Sequence, residues 1–96
     1  MKDEIKRADI VMSTAGRDKG RLMFVLSVLE GGTLLLADGK CRKVENPKTK
    51  KEKHAELFER SENPVSRKIL SGEVPLNKEI RRELARRQLD TTSQGG

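Results

Sequence analysis

Between residues 40 and 53 the chain sets seven basic side chains, Lys40, Arg42, Lys43, Lys48, Lys50, Lys51 and Lys53, against two acidic ones, Glu45 and Glu52. The whole chain carries a net charge of +6, and +5 of it falls in this stretch. The flanks are nearly balanced, with six basic and six acidic residues in 1–39 and eight against seven in 54–96. So concentrated an excess points to a polyanionic partner. The plainer reading is a solvated loop with surface lysines, and the concentration argues against it. A second basic group, Gly16-Arg17-Asp18-Lys19-Gly20-Arg21, is bracketed by glycines. Gly16 and Gly20 can take positive φ, and backbone N–H groups in such a turn suit phosphate oxygens. Arg17, Lys19 and Arg21 add charge there. The plainer alternative is a hairpin turn that happens to carry charge.

Other chemistries find little support. A phosphate-binding P-loop needs Gly-Lys-Ser/Thr at its end, and Gly20 is followed by Arg21 and Leu22. The single histidine, His54, sits in a charged segment and reads as an exposed or RNA-facing residue. The single cysteine, Cys41, cannot form an internal disulfide; flanked by Lys40 and Arg42 it could be a reactive thiol, but a lone cysteine on a strand more often packs inside. No His/Cys cluster has metal-ligand spacing. The expectation is a non-enzymatic protein with no cofactor, no metal and no small-molecule substrate. Aromatic residues are limited to Phe24 and Phe58, with no Trp or Tyr. Phe24 lies in the densest apolar run, so no stacking platform for single-stranded bases is evident. That favours structured RNA held through phosphates, 2′-hydroxyls and shape.

The elements that must position these residues are short. Ile10–Met12 read as a strand near residues 9–14, and residues 15–20 as a turn. Residues 21–29 form a second strand, with Leu22, Phe24, Leu26 and Val28 on one face and Met23, Val25 and Leu29 on the other. Apolar residues on both faces imply a curled sheet covered outside by another element. Glu30-Gly31-Gly32 fits a tight turn into a third strand at 33–37. Asp38-Gly39 signals a hairpin into a fourth strand at Cys41–Val44, which Pro47 stops. Ala55–Phe58 makes a fifth. Asn63-Pro64 then caps a short helix that ends at Gly72, and Asn77 caps a second over 77–88, with Ile80, Leu84 and the following Leu89 as its apolar stripe and Glu83 paired to Arg87.

The 96 residues make one domain. It divides into a flexible leader (1–7), a barrel (8–58) with its basic loop (40–53), a helical extension (59–90) and a disordered tail (91–96). Nothing approaches a membrane span or the apolar stretch of a signal peptide, so a cytoplasmic, monomeric protein with no membrane partner is expected.

The pattern of strand, Gly16, two residues, Lys19-Gly20 and strand, with Asp9, Val11 and Val25, resembles the KOW motif. This is a strand–loop–strand unit of ribosomal proteins and transcription elongation factors. The continuation through Val28, Leu34–Leu36, Asp38-Gly39 and Arg42-Lys43 is similar to KOW-type large-subunit ribosomal proteins of archaea and eukaryotes, and to short bacterial KOW-domain RNA-binding proteins. The similarity covers residues 8–58. Ala8 stands where the motif usually has Gly, Ser13 where a β-branched residue is usual, and Met23 where Gly is common. The resemblance implies a mainly β fold, an SH3-like barrel of four to five antiparallel strands followed by two short helices. It also implies ribosomal RNA on the large subunit as the partner, in a ribosome- or translation-associated role. The same resemblance allows a different class of function, a protein–protein interaction module of the elongation or ribosome-assembly machinery.

Overall fold

Leu22 to Leu29 hold seven apolar residues in eight, and the first four, Leu22–Val25, are buried on both faces of a sheet while Val28 and Leu29 are exposed. The computed structural model, which describes residues 4–95 with side chains through Arg87, makes this stretch β2 at the centre of the fold. Around it lie β1 (Ile10–Ser13), β3 (Thr33–Ala37), β4 (Lys48–Lys51) and β5 (Ala55–Glu59), followed by α1 (Pro64–Leu70) and α2 (Asn77–Gly95). The strands form a five-stranded sheet in the order β4-β3-β2-β1-β5, every neighbour antiparallel.

Each face of the sheet has its own core. On one, Leu22 and Phe24 join Ala8, Ile10 and Ala37 beneath Val65 and Ile69 of α1 and Ile80 and Leu84 of α2. On the other, Met23 and Val25 join Ile5, Val11, Leu34, Leu36 and Ala55. Full burial of a side chain such as Phe24 is worth about 1.5–3 kcal/mol, so the two faces together carry most of the stability. Register shifts at Val25/Ser27 and Ile10/Val11 insert one extra residue each, Leu26 in β2 and Phe58 in β5. Such bulges bend strands and increase twist, giving a mainly β architecture compatible with a small barrel-like fold.

Several expectations need correction. No strand forms at Cys41–Val44. The Asp38 carboxylate instead accepts from the N–H groups of Lys40 (2.9 Å) and Arg42 (2.8 Å), folding the chain into an Asx-type turn. Cys41 is therefore exposed rather than packed. The fourth strand is β4, which falls inside the stretch expected to be a basic loop, and Pro47 precedes it rather than ending a strand. The leader is not wholly loose: Ile5 is buried and Arg60 donates to the Glu4 carbonyl (2.7 Å), while residues 1–3 lie outside the described residues. α1 starts as expected, with Asn63 Oδ1 accepting from Ser66 N–H (2.8 Å) and Pro64 at its first turn. α2 has helical backbone to Gly95, through the 91–95 stretch expected to be a disordered tail, because no Pro and no earlier Gly interrupts it. Gly96 lies outside the described residues.

Candidate nucleic-acid interface

Antiparallel pairing brings the two basic segments to one end of the sheet. Met12 pairs with Leu22, Phe24 with Ala37, and Leu36 with Lys48. The β1–β2 loop (14–21) and the β3–β4 connection (38–47) thus emerge side by side.

The β1–β2 loop is tightly closed. Gly16 and Gly20 have φ of 79° and 88°, as their place in the turn demands. The N–H groups of Lys19, Gly20 and Arg21 donate to the carbonyls of Gly16 (3.2 Å), Ser13 (2.8 Å) and Asp18 (2.8 Å). Those three amides serve the turn, so what the loop offers outward is the side chains of Arg17 and Lys19, both exposed and neither in an ion pair among the described residues. Asp18 is buried and faces inward. Its carboxyl is held below the ordinary aspartate range, first by the hydrogen bond from the Lys48 ammonium. Lys50, also buried, donates from Nζ to the Ala15 carbonyl (2.9 Å). Both lysines share the β4 face that meets Leu34 and Leu36, and their cations brace the loop from beneath.

The β3–β4 connection works the other way. Lys40 and Lys43 are exposed and Arg42 is half-buried, and none of the three forms an ion pair among the described residues. Their frame is the Asp38 turn below and α2 behind. Asn77, expected as a helix cap, instead accepts from Val44 N–H at Oδ1 (2.9 Å) and donates to Glu45 Oε1 (2.6 Å). The start of α2 is completed by Glu79, whose Oε1 accepts from Leu76 N–H (2.9 Å). Gly39 sits so close to α2 that a Cβ there would lie 2.4 Å from the Asn77 carbonyl oxygen, at φ 76°. Arg21 joins the two segments. It pairs with Asp38 (3.5 Å), and its pKa is raised, first by the Cys41 sulfur beside it and also by Asp38 and Asp18.

Of the sequence-predicted residues, the structure thus gathers Arg17, Lys19, Arg21, Lys40, Arg42 and Lys43 at one end, on Gly16, Gly20 and Gly39 turns. It turns Lys48 and Lys50 inward. Lys51 pairs with Thr33 at the far end of β3, so Lys51 and the neighbouring Lys53, both exposed, stand away from the gathered set. His54 contributes its carbonyl to Thr14 N–H (2.9 Å). One cation was missed: Arg81 of α2 donates from Nη1 to the Gly39 carbonyl (2.6 Å), which places it beside Lys40. The signal was present in Lys78, Arg81, Arg82 and Arg86, which recur at helical spacing on the exposed side of α2.

The arrangement can attract and seat anions. Among the described residues no group of three His, Cys, Asp or Glu side chains could hold a metal ion, and no helix is long and apolar enough to cross a membrane. No protein-family model matches the chain, and no curated protein is similar to it at a significant level.

Proposed function

We propose that the chain binds structured RNA, ribosomal RNA foremost, on an SH3-like barrel of KOW type, in a ribosome- or translation-associated role. The barrel type draws support from the sheet order, from the 3-10 turn at Glu52–His54 that joins β4 to β5, and from the bulges that bend β2 and β5. It draws further support from Ala8. Its φ of 76° makes it the one non-glycine residue with positive φ among the described residues, at the position where the KOW pattern usually has Gly.

The observation that carries the function is a group of cations without ion pairs among the described residues, Arg17, Lys19, Lys40, Arg42 and Lys43, at one end of the sheet. A folded protein commonly engages or disperses its surface charges; here five sit together, on loops braced by buried carboxylates. Lys48 and Lys50 drop out of the interface, since their ammonium groups are engaged inside the fold. With five phosphates contacted, binding of a structured RNA should weaken with salt along a log–log slope of about −4. Filter binding from low to moderate salt measures it. A tagged protein should also sediment with large ribosomal subunits at low salt and be released at high salt. Absence of RNA retention at low salt would overturn the reading, and salt-insensitive capture of a protein would favour the interaction-module alternative.

A further inference from the structure

Between the Asp38–Arg42 turn and α2 lies a crevice of about 320 Å³, at the small end of the range for ligand sites. Its walls come from three separate stretches: Arg21 and Leu22 from the start of β2, Lys40 and Cys41 from the turn, and Arg81 and Leu84 from α2. We propose that this crevice seats one nucleotide unit, its phosphate on Arg21, Lys40 and Arg81 and its base or ribose against Leu22, Leu84 and Ala85. The inference rests on the RNA-binding reading and names the part of the RNA that this end of the molecule holds.

Charge is the first argument. Three cations face the crevice with one carboxylate, Asp38, and that carboxylate already accepts from two backbone amides and from Arg21. Lys40 has no partner for its ammonium group among the described residues. Among the described residues Arg81 commits only Nη1, to the Gly39 carbonyl, which leaves its other guanidinium donors for a ligand. A guanidinium can then meet a phosphate with two parallel donors, and Lys40 adds a point charge.

Shape is the second argument. A bare ion pair needs no cavity, whereas this space has an apolar side formed by the edges of Leu22 and Leu84, both nearly buried, and by exposed Ala85. Cations on one wall and aliphatic carbon on the other match the two ends of a nucleotide. A splayed-out nucleotide of this kind needs no aromatic side chain, which reconciles an RNA-binding surface with the absence of Trp and Tyr. Arg21 belongs both to the crevice wall and to the gathered cations, so a strand lying across the two loops leads to the crevice.

The unit could come from an RNA chain or from a free nucleotide. Cys41, exposed in the crevice wall and the only cysteine, is a built-in reporter. The full-length protein is alkylated with iodoacetamide, a neutral reagent, and the rate followed by mass spectrometry. The probes are a hairpin RNA with a single-stranded flank, adenosine monophosphate, and inorganic phosphate. The expected result is that the hairpin slows alkylation about tenfold or more, and that Lys40→Ser and Arg81→Gln each cut this protection and weaken binding about tenfold, the scale of one charge-assisted hydrogen bond. Lys40→Ser removes no internal contact, so it keeps the test valid if Arg81→Gln loosens α2. RNA retained on filters with an unchanged alkylation rate would overturn the crevice and leave RNA binding standing. Protection undiminished in both variants would overturn it too, since the RNA would merely overlie Cys41. If the RNA fails to bind but adenosine monophosphate protects where inorganic phosphate does not, the crevice stands as a free-nucleotide site and the RNA reading falls. No protection by any probe would overturn the crevice outright.

Discussion

Lys48 and Lys50 of β4 and Lys40, Arg42 and Lys43 of the preceding turn lie within one eleven-residue span and are similar in chemistry. Their employment is opposite. The β4 pair points along the sheet face that carries Leu34 and Leu36, and its charges close on Asp18 and the Ala15 carbonyl. The turn's three cations form no ion pair among the described residues and sit on a frame fixed by Asp38 and Asn77. The lesson is that a count of basic residues measures attraction only after the internally engaged ones are removed. Here it also shows a division of labour, in which inward lysines shape the loop whose neighbours meet the partner.

The largest effect should come from destroying the outward frame. Gly39→Ala forces a Cβ against the Asn77 carbonyl at a backbone conformation that disfavours it, and should cost about 2–3 kcal/mol of stability in urea unfolding. RNA affinity measured in the folded fraction should fall as well, because Lys40, Arg42 and Arg81 lose their relative placement. Next, Lys48→Met with Lys50→Met should destabilise by about 2 kcal/mol, since a buried carboxylate and carbonyl lose their partners. The RNA salt slope should change by less than about one; a drop of two or more would mean that these lysines reach the RNA after all.

The mirror-image variant, Lys40→Ser with Arg42→Ser and Lys43→Ser, should leave stability within about 0.5 kcal/mol. It should flatten the salt slope by about 2–3 and weaken binding well beyond the loss of about tenfold expected of Lys40→Ser alone. A large stability loss with an unchanged slope would reverse the assignment of the two regions. The smallest effect concerns acid. The Lys48 ammonium lowers the pKa of Asp18, so the carboxylate's contribution to stability is complete above the ordinary aspartate value of 3.8 and is lost as pH falls through the lower folded value. Asp18→Asn should therefore shallow the decline of stability below about pH 4, with little effect on RNA binding at pH 7. Thermal melts across pH 2–7 would show whether the wild-type decline is steeper.

Local chemistry made much of this fold legible. The span of β3 matches the expected 33–37, β2 starts one residue after Arg21, and α1 has the asparagine cap and first-turn proline that its sequence announces. Glu83 and Arg87 pair as their spacing requires, at 2.9 Å, and Arg87 reaches on to Glu59 of β5. What could not be read is what depends on distant partners. Lys-Thr-Lys-Lys has little intrinsic strand preference, and β4 forms by pairing with β3 while Lys48 and Lys50 find acceptors some thirty residues earlier in the chain. Asn77 looks like a cap in its own neighbourhood, but Val44 and Glu45 take its side chain. The basic residues of the interface were visible as types; which of them face outward, and that Arg81 joins them, depended on that same distant packing.

The helices that cover Ile10, Leu22, Phe24 and Ala37 are encoded after all five strands, and this imposes an order on manufacture. At about 5–20 residues per second, roughly 1–5 s separate the addition of Glu59 from that of Leu84. Until α1 and α2 are made and docked, a chain that has its strands keeps one apolar face uncovered. During each round of synthesis the protein therefore passes through a sticky adolescence, when a neighbouring nascent chain or a chaperone competes with its own α1 and α2 for the same surface. A chain cut short after Glu62 would stay there permanently, and such a product should collect in the insoluble fraction of the cell.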